Sequence, residues 1–300
     1  MCCECASRSY DSHKTIYDAT GTIENEFAIL KRLRELNIPY AVRVLNNEIS
    51  IESVTGTPVI CTEMCALSLK TLVTSLWTSS RAKSKFRDMD IITRQLFACL
   101  AKCHEMGIVH RDIKLDNIML KACEPLEIRL IDWGLARDMI RRKRKRDDDA
   151  SKLSLGRAGT RYWRAPEMLL LDLGESRDGD DDEVDLSLYS AVDVWSTGIV
   201  IASMLLGGQN VFMPEGDVKR NGSKMDELLD LIRVCGTETL PKRYYDVISD
   251  SRKSSKLHKG TLKSLISNDD SDSRYVNLIC DMLVYEPRDR PTTKTLLSRV

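Results

Sequence analysis

The sequence predicts an α+β chain in two lobes, a small sheet-rich one over residues 1–65 and a large helical one over residues 66–300. Three observations carry that expectation. Apolar residues between Ala41 and Glu63 come in short alternating runs, those after Asp90 recur at helical spacing, and Val192–Leu206 is almost wholly apolar. With 300 residues, 42% of them hydrophobic and 30% charged, the chain can bury a core of its own.

The elements follow in order. Ile23–Leu36 reads as an amphipathic helix that ends near Pro39. Ala41–Leu45, Glu48–Ser53 and Pro58–Glu63 suit a small antiparallel sheet. From Asp90 to Met106, Ile92, Leu96, Cys99, Leu100 and Cys103 mark a second helix, with Gly107 as its stop. Short β-branched runs come next, Ile108-Val109, Ile118–Leu120 and Ile128–Ile131, and the loop between the first two is where chemistry is expected. Val192–Leu206, closed by Gly207-Gly208, reads as a helix buried on nearly all sides. Two charged insertions, about 138–152 and 172–187, hold the basic run Arg141–Arg146 followed by Asp147–Asp149, and the acidic stretch Asp178–Asp185. Both are expected to be solvated.

Bulk properties exclude several functions. Forty-five basic and forty-five acidic residues give a formal net charge of zero, so no global field draws nucleic acid or an anionic membrane, and direct nucleic-acid binding is not expected. Uninterrupted apolar runs fall short of the roughly 18 residues of a spanning helix, and residues 1–25 show no apolar signal core, so a membrane location is not expected. Ten cysteines without paired Cys-x-x-Cys spacing argue against a structural zinc and suit a reducing compartment. Cys2, Cys3 and Cys5 read as an exposed tail ahead of a metal or lipid site, and Cys99 and Cys103 read as core.

The chemistry-bearing residues form three ordered motifs: His110-Arg111-Asp112-Ile113-Lys114-Leu115-Asp116-Asn117, then Asp132-Trp133-Gly134, then Ala165-Pro166-Glu167. In order and spacing they resemble the signature of the eukaryotic protein kinases. The resemblance runs from about Lys14 to Leu297 and implies a bilobal kinase fold that uses ATP and Mg²⁺ on protein substrates. It implies that Asp112 orients the substrate hydroxyl and takes its proton, that Lys114 sits against the γ-phosphate, and that Asn117 and Asp132 hold the metal. Lysine two places after the aspartate is similar to the serine/threonine class. Glu26 resembles the helix glutamate that pairs with a strand lysine, and Lys14, the sole lysine before it, is the candidate partner, with a plain surface lysine as the competing reading. Val59–Cys65 resembles the hinge strand, Thr62 being the gatekeeper and the backbones of Glu63 and Cys65 bonding adenine. No glycine precedes Lys14, so the resemblance implies an N-lobe lacking its glycine-rich loop, expected here as incompleteness rather than decay.

The same resemblance gives Glu167 and Arg290 as a buried ion pair, Asp193 as a brace for the catalytic loop, and Trp133 stacked with His110 and Leu30, a tryptophan similar to that of casein-kinase-type enzymes. The two insertions, Arg157-Ala158-Gly159-Thr160 and Met225–Thr239 look like the DDK family, which implies an activating regulatory subunit and a role in DNA replication. Tyr162-Trp163-Arg164 is similar instead to the cyclin-dependent, mitogen-activated and dual-specificity group. Arg157, Arg161 and Arg164 are expected to favour acidic substrates; alternatively Arg111 and Arg157 hold a phosphate placed on Ser151 or Ser154. Arg141–Arg146 reads equally as a nuclear-import patch or a bland loop, and the expected location is nuclear, with a cytoplasmic pool as the second expectation. The rival readings are a non-catalytic scaffold and a nucleic-acid-binding module.

Overall fold

The computed structural model describes residues 5–9 (as backbone), 23–77, 84–140, 158–173, 186–213, 222–248, 260–267 and 272–300. Helix α1, Ile23–Glu35, buries Ile23, Glu26, Ile29, Leu30 and Leu33 along one face, the stripe its spacing predicts. Asn37 at φ 49° and Tyr40 at φ 59° turn the chain out of it. The small lobe is built on an antiparallel sheet in the order β1 (Cys5–Ser9), β3 (Pro58–Glu63), β2 (Ser50–Ile51). Ala41–Leu45 differs from expectation: it makes only isolated bridges, Ala41 to Leu130 and Val44 to Thr62. Its two ends are held by different lobes. Val42 N donates to Leu130 O at 3.0 Å, and Leu45 N donates to Cys61 O at 2.8 Å, so the segment bridges two sheets instead of lengthening one.

The large lobe opens on a second sheet in the order β4 (Leu67–Ser68), β6 (Ile118–Cys123), β7 (Leu126–Leu130) and carries a two-stranded ribbon of β5 (Ile108–Val109) and β8 (Arg137–Asp138). Helix α2, Lys85–Glu105, starts earlier than its apolar periodicity suggests. Its first turn is fixed by a polar anchor: buried Asp88 accepts from Trp77 Nε1 at 3.2 Å and Ser84 Oγ at 3.1 Å. Cys99 and Cys103 are buried on α2 as core residues.

Helices α3 (Pro166–Asp172), α4 (Leu186–Leu205), α5 (Lys224–Cys235), α6 (Ser273–Met282) and α7 (Thr293–Leu297) complete the lobe. By length and composition α4 could cross a membrane, yet its apolar surface lies almost entirely inside the lobe. Gly198 permits that packing, since a Cβ there would stand 3.0 Å from Leu283 Cδ2 and 3.1 Å from Met282 Cβ. Two hydroxyls of α4 are hydrogen-bonded, Thr197 Oγ1 donating to Asp193 O at 2.7 Å and Ser196 Oγ to Trp163 O at 2.8 Å, while Trp195 Nε1 and Ser203 Oγ are buried without a hydrogen-bond partner among the described residues. Arg290 and Glu167 meet in a buried two-bond pair at 2.8 and 2.7 Å, and Arg290 also donates to the carbonyls of Ala191, Val284 and Tyr285. That pair ties α3 to the chain between α6 and α7. The basic run Arg141–Arg146 and the acidic stretch Asp178–Asp185 lie outside the described residues.

Candidate active site

The loop between β5 and β6 is held from below by one carboxylate. Asp193 on α4, fully buried, accepts from Arg111 N at 2.8 Å through Oδ1, and from His110 N at 2.8 Å and His104 Nε2 at 2.9 Å through Oδ2. Burial pushes its pKa up, but the hydrogen bond and charge of His104 outweigh that and hold it below the usual carboxylate range. Arg111 adopts φ 70°, a left-handed conformation unusual for a bulky residue, and the two backbone bonds to Asp193 hold this turn in place.

On top of this turn Asp112 is saturated with donors. Thr160 donates to Oδ1 through N at 2.9 Å and Oγ1 at 2.7 Å, while Lys114 Nζ at 2.7 Å and Asn117 Nδ2 at 3.0 Å donate to Oδ2. Lys114 Nζ also donates to Thr160 Oγ1 at 2.6 Å. Burial raises the Asp112 pKa, and the bonds from Lys114 and Thr160 more than reverse it, leaving the group ionised well into the acid range. Asn117 spends its Nδ2 on Asp112, at Oδ2 and on the backbone O at 2.8 Å, which leaves its amide oxygen as the atom suited to a cation.

Beside this network a cleft of about 180 Å³ runs between the lobes. Leu30, Val42, Ile60, Met119 and Ile131 form its apolar walls, Glu26 and Asp132 its acidic end, and Thr62, Glu63 and Cys65 its strand side. Apolar walls with a polar end suit a flat base carrying a charged tail. The carboxylate of Glu63 is committed elsewhere: it accepts from Arg129 Nε at 2.7 Å, Arg43 N at 3.0 Å and Lys121 Nζ at 3.2 Å. Burial is the largest single influence and raises its pKa, but the hydrogen bond and charge of Arg129, with the bonds from Arg43 N and Lys121, together outweigh it and hold the carboxyl below its usual range. Glu63 N donates to Arg43 O at 2.9 Å, which ties the end of β3 to the Ala41–Leu45 segment. Burial, helped by the Glu63 charge, pushes the Cys65 thiol up to about 11.

Asp132 sits at φ 62°, immediately before a 3₁₀ turn over Trp133–Leu135. Trp133 Nε1 donates to Leu130 O at 3.0 Å, and its ring meets His110 edge to face at 4.5 Å, not in the stack that the sequence suggests. Hard oxygen donors from Asn117 and Asp132 fit Mg²⁺, and the cleft fits its nucleotide.

The segment before α3 departs from expectation. Arg164, expected to face substrate, pairs with Glu227 at 3.0 Å and Asp172 at 3.4 Å. These two carboxylates, from α5 and α3, are almost wholly buried and need a counter-charge, which Arg164 and Lys224 supply. Glu227 is aimed there by a capping box at the start of α5, where Ser223 Oγ accepts from Asp226 N and Asp226 accepts from Ser223 N, and it also takes Tyr162 N at 2.6 Å. Burial keeps the Glu227 pKa raised despite Arg164. Arg161 lies over the Tyr162 ring at 4.5 Å and donates to its hydroxyl at 2.7 Å.

The structure thus brings Glu26, Thr62, Glu63, Cys65 and Asp132 to one cleft, and Arg111, Asp112, Lys114, Asn117 and Thr160 to the loop beside it. Lys14, Ser151, Ser154 and Arg157 lie outside the described residues. Two residues were missed by sequence reasoning. Arg8 is the register partner of Ile60, a cleft-wall residue, just as Ala6 is the partner of Thr62. The register thus sets position 8 of β1 opposite Ile60 and position 6 opposite Thr62. Cys5-Ala6-Ser7-Arg8 carried the signal, but a search restricted to lysine passes over it. The other is Asn25, whose only signal was its place next to Glu26.

A two-lobed chain with an apolar-walled cleft that ends in two carboxylates, beside a hydrogen-bonded Asp–Lys–Asn–Thr cluster, has the organisation of a protein kinase domain. The chain belongs to the protein kinase family, whose protein kinase domain matches residues 3–300. It is 29% identical over 218 residues to a probable casein kinase II subunit alpha homolog of Encephalitozoon cuniculi, covering 71% of this chain and 59% of that protein. It is 28% identical over 222 residues to casein kinase II subunit alpha' of Saccharomyces cerevisiae, covering 70% of this chain and 55% of that one. The chain therefore spans somewhat over half the length of these curated relatives.

Proposed function

We propose that this chain transfers the γ-phosphoryl group of Mg·ATP to serine or threonine in protein substrates. The observation that carries the proposal is the Asp112 network: one carboxylate bonded at once by Lys114, Asn117 and Thr160, next to the cleft that ends in Asp132. The nucleotide, when bound, supplies the phosphoryl group, and the metal supplies charge neutralisation at its phosphates. The chain's own residues do the positioning. Asp112, held ionised, orients the incoming hydroxyl and receives its proton late, which suits a loose transition state that needs little help from a strong base. Lys114, already linked to Asp112 and Thr160, is placed to offset charge on the transferred group. Asn117 Oδ1 and the Asp132 carboxylate would hold Mg²⁺. For the cation paired with Glu26, Arg8, whose backbone is the register partner of Ile60, stands as a second candidate beside Lys14.

The finer reading is a DDK-type kinase that needs a regulatory subunit, acts in DNA replication in the nucleus and prefers acidic sequence context. Its supports are the two charged insertions, the run Met225–Thr239, and the fact that both relatives are named as alpha subunits. With Arg164 paired internally, the acidic preference rests on Arg157 and Arg161. A scaffold without catalysis is the second reading, favoured by the absence of any lysine from β1. Phosphate transfer from labelled ATP to an acidic Ser-containing peptide tests the choice. Asp112→Asn is expected to lower the rate by roughly 10²–10⁴-fold with nucleotide binding retained. Equal rates in both chains would overturn the assignment of Asp112, and absence of Mg·ATP binding would overturn the function.

A further inference from the structure

We infer that Asn25 is a positioning residue that locks helix α1 onto the metal-binding loop without any charge or phosphate. The inference rests on the nucleotide site proposed above. Its observation is a side-chain amide in the first turn of α1 that donates through Nδ2 to two backbone carbonyls, Gly134 O at 3.1 Å and Ala136 O at 3.2 Å. These carbonyls lie on either side of Leu135, two and four residues after Asp132. Asn25 is also the neighbour of Glu26, which lines the opposite wall of the same cleft end. One amide therefore fixes the spacing between the two acidic groups of the cleft, one on a helix of the small lobe and one on a loop of the large lobe.

The other links between α1 and this segment are weaker. Arg32 Nε approaches Asp138 Oδ2 only to 3.9 Å, beyond hydrogen-bond distance, so that link carries charge attraction but no fixed direction. The apolar contact of α1 with the Trp133–Leu135 turn is not directional and would allow the helix to slide. A forked amide donor aimed at two carbonyls of one turn fixes both the height and the rotation of α1. Both bonds are neutral, so ionic strength leaves them in place, and no modification of the segment after Asp138 is needed to make them. The helix-in arrangement is then the resting state of the chain, and a regulatory partner or phosphate would act on some later step.

Three substitutions test this on the full chain. Asn25→Leu keeps the size and removes the donors; Asn25→Asp keeps the shape and turns an acceptor toward two carbonyls; Asn25→Ser is the mild variant should either fail to fold. Glu24→Gln, one residue away and exposed, is the control. Two readouts are taken. Hydrogen exchange of the ligand-free protein is expected to rise across Ile23–Glu35 and Trp133–Asp138 in the Asn25 variants, with α4 unchanged. Calorimetric binding is expected to show Mg·ATP weakened roughly tenfold by a smaller fraction of competent protein, with adenosine, which reaches only the strand side, bound as before. Unchanged exchange in Asn25→Asp, or equal losses for adenosine and Mg·ATP, would overturn the inference. The exchange readout needs no nucleotide, so failure of the proposed function and failure of the clamp are told apart.

Discussion

Replacing Asp193 by Asn removes one acceptor from a fully buried site that has three donors. The carboxylate serves Arg111 N, His110 N and His104 Nε2 with two oxygens, at 2.8, 2.8 and 2.9 Å. In either orientation the new amide turns its NH₂ toward a backbone N–H that needs an acceptor. One buried donor is orphaned, at about 1–3 kcal/mol, and the surviving bond loses the strengthening given by a full negative charge. The expected loss is about 2–4 kcal/mol, a large share of the roughly 5–15 kcal/mol that holds a typical domain folded. The local result follows from Arg111: released at one side, its left-handed turn relaxes and Asp112 moves, so kcat is expected to fall at least tenfold. The pH dependence has a definite sign. The folded pKa of Asp193 is depressed, so its contribution is complete above the unfolded value of about 4 and is lost as pH falls through the lower folded value. The stability gap between the parent and Asp193→Asn must therefore narrow on going from about pH 6 to about pH 3. Urea midpoints across that range, with kcat at neutral pH, make the measurement. A variant with the parent's midpoint and rate, or a gap that widens with acid, would refute the reasoning.

Arg290→Met leaves Glu167 buried against apolar neighbours, and a loss of about 3–5 kcal/mol is expected, read as a fall in the thermal midpoint; no fall would show that the pair is not stabilising. Arg8→Ala is expected to weaken Mg·ATP binding about tenfold while Lys14→Ala leaves it unchanged, measured by calorimetry; the reverse order would return the phosphate cation to Lys14. Cys65, with its thiol pushed up to about 11, is expected to alkylate at least ~10-fold more slowly than free cysteine at neutral pH, followed by intact mass; a rate equal to free cysteine would mean that Glu63 and burial do not suppress the thiolate.

What was legible in the sequence is what is encoded by neighbours. The Asp112–Lys114–Asn117 cluster lies within six consecutive residues, so its spacing carries its geometry. The helices from Ile23, Asp90 and Val192 write their buried faces into their periodicity. What was not legible depends on partners far along the chain. Ala41–Leu45 has the apolar alternation of a strand, yet the hydrogen bonds it donates to the carbonyls of Leu130 and Cys61 pull its ends to different sheets. Arg164 has the residue type and position of a substrate-facing charge, but two buried carboxylates on α3 and α5, at positions 172 and 227, claim it. Position in a motif fixed where its backbone goes, and long-range electrostatics decided what its side chain does.

The same distinction bears on how the two lobes are coupled. Among the described residues, three directional links join them. The backbone bridge joins Tyr40–Val42 to Leu130, the carboxylate of Glu63 accepts from Lys121 and Arg129, and the amide of Asn25 donates to the turn after Asp132. The first two lie on the strand side and together act as a fixed edge, because backbone bonds and a half-buried ion cluster both resist sliding. A body fixed along one edge retains a single soft motion, rotation about that edge. That rotation moves α1 most, and with it Glu26 relative to Asp132. Asn25 is the directional contact placed across that motion, so one neutral amide governs the one degree of freedom on which the geometry of the cleft's acidic end depends.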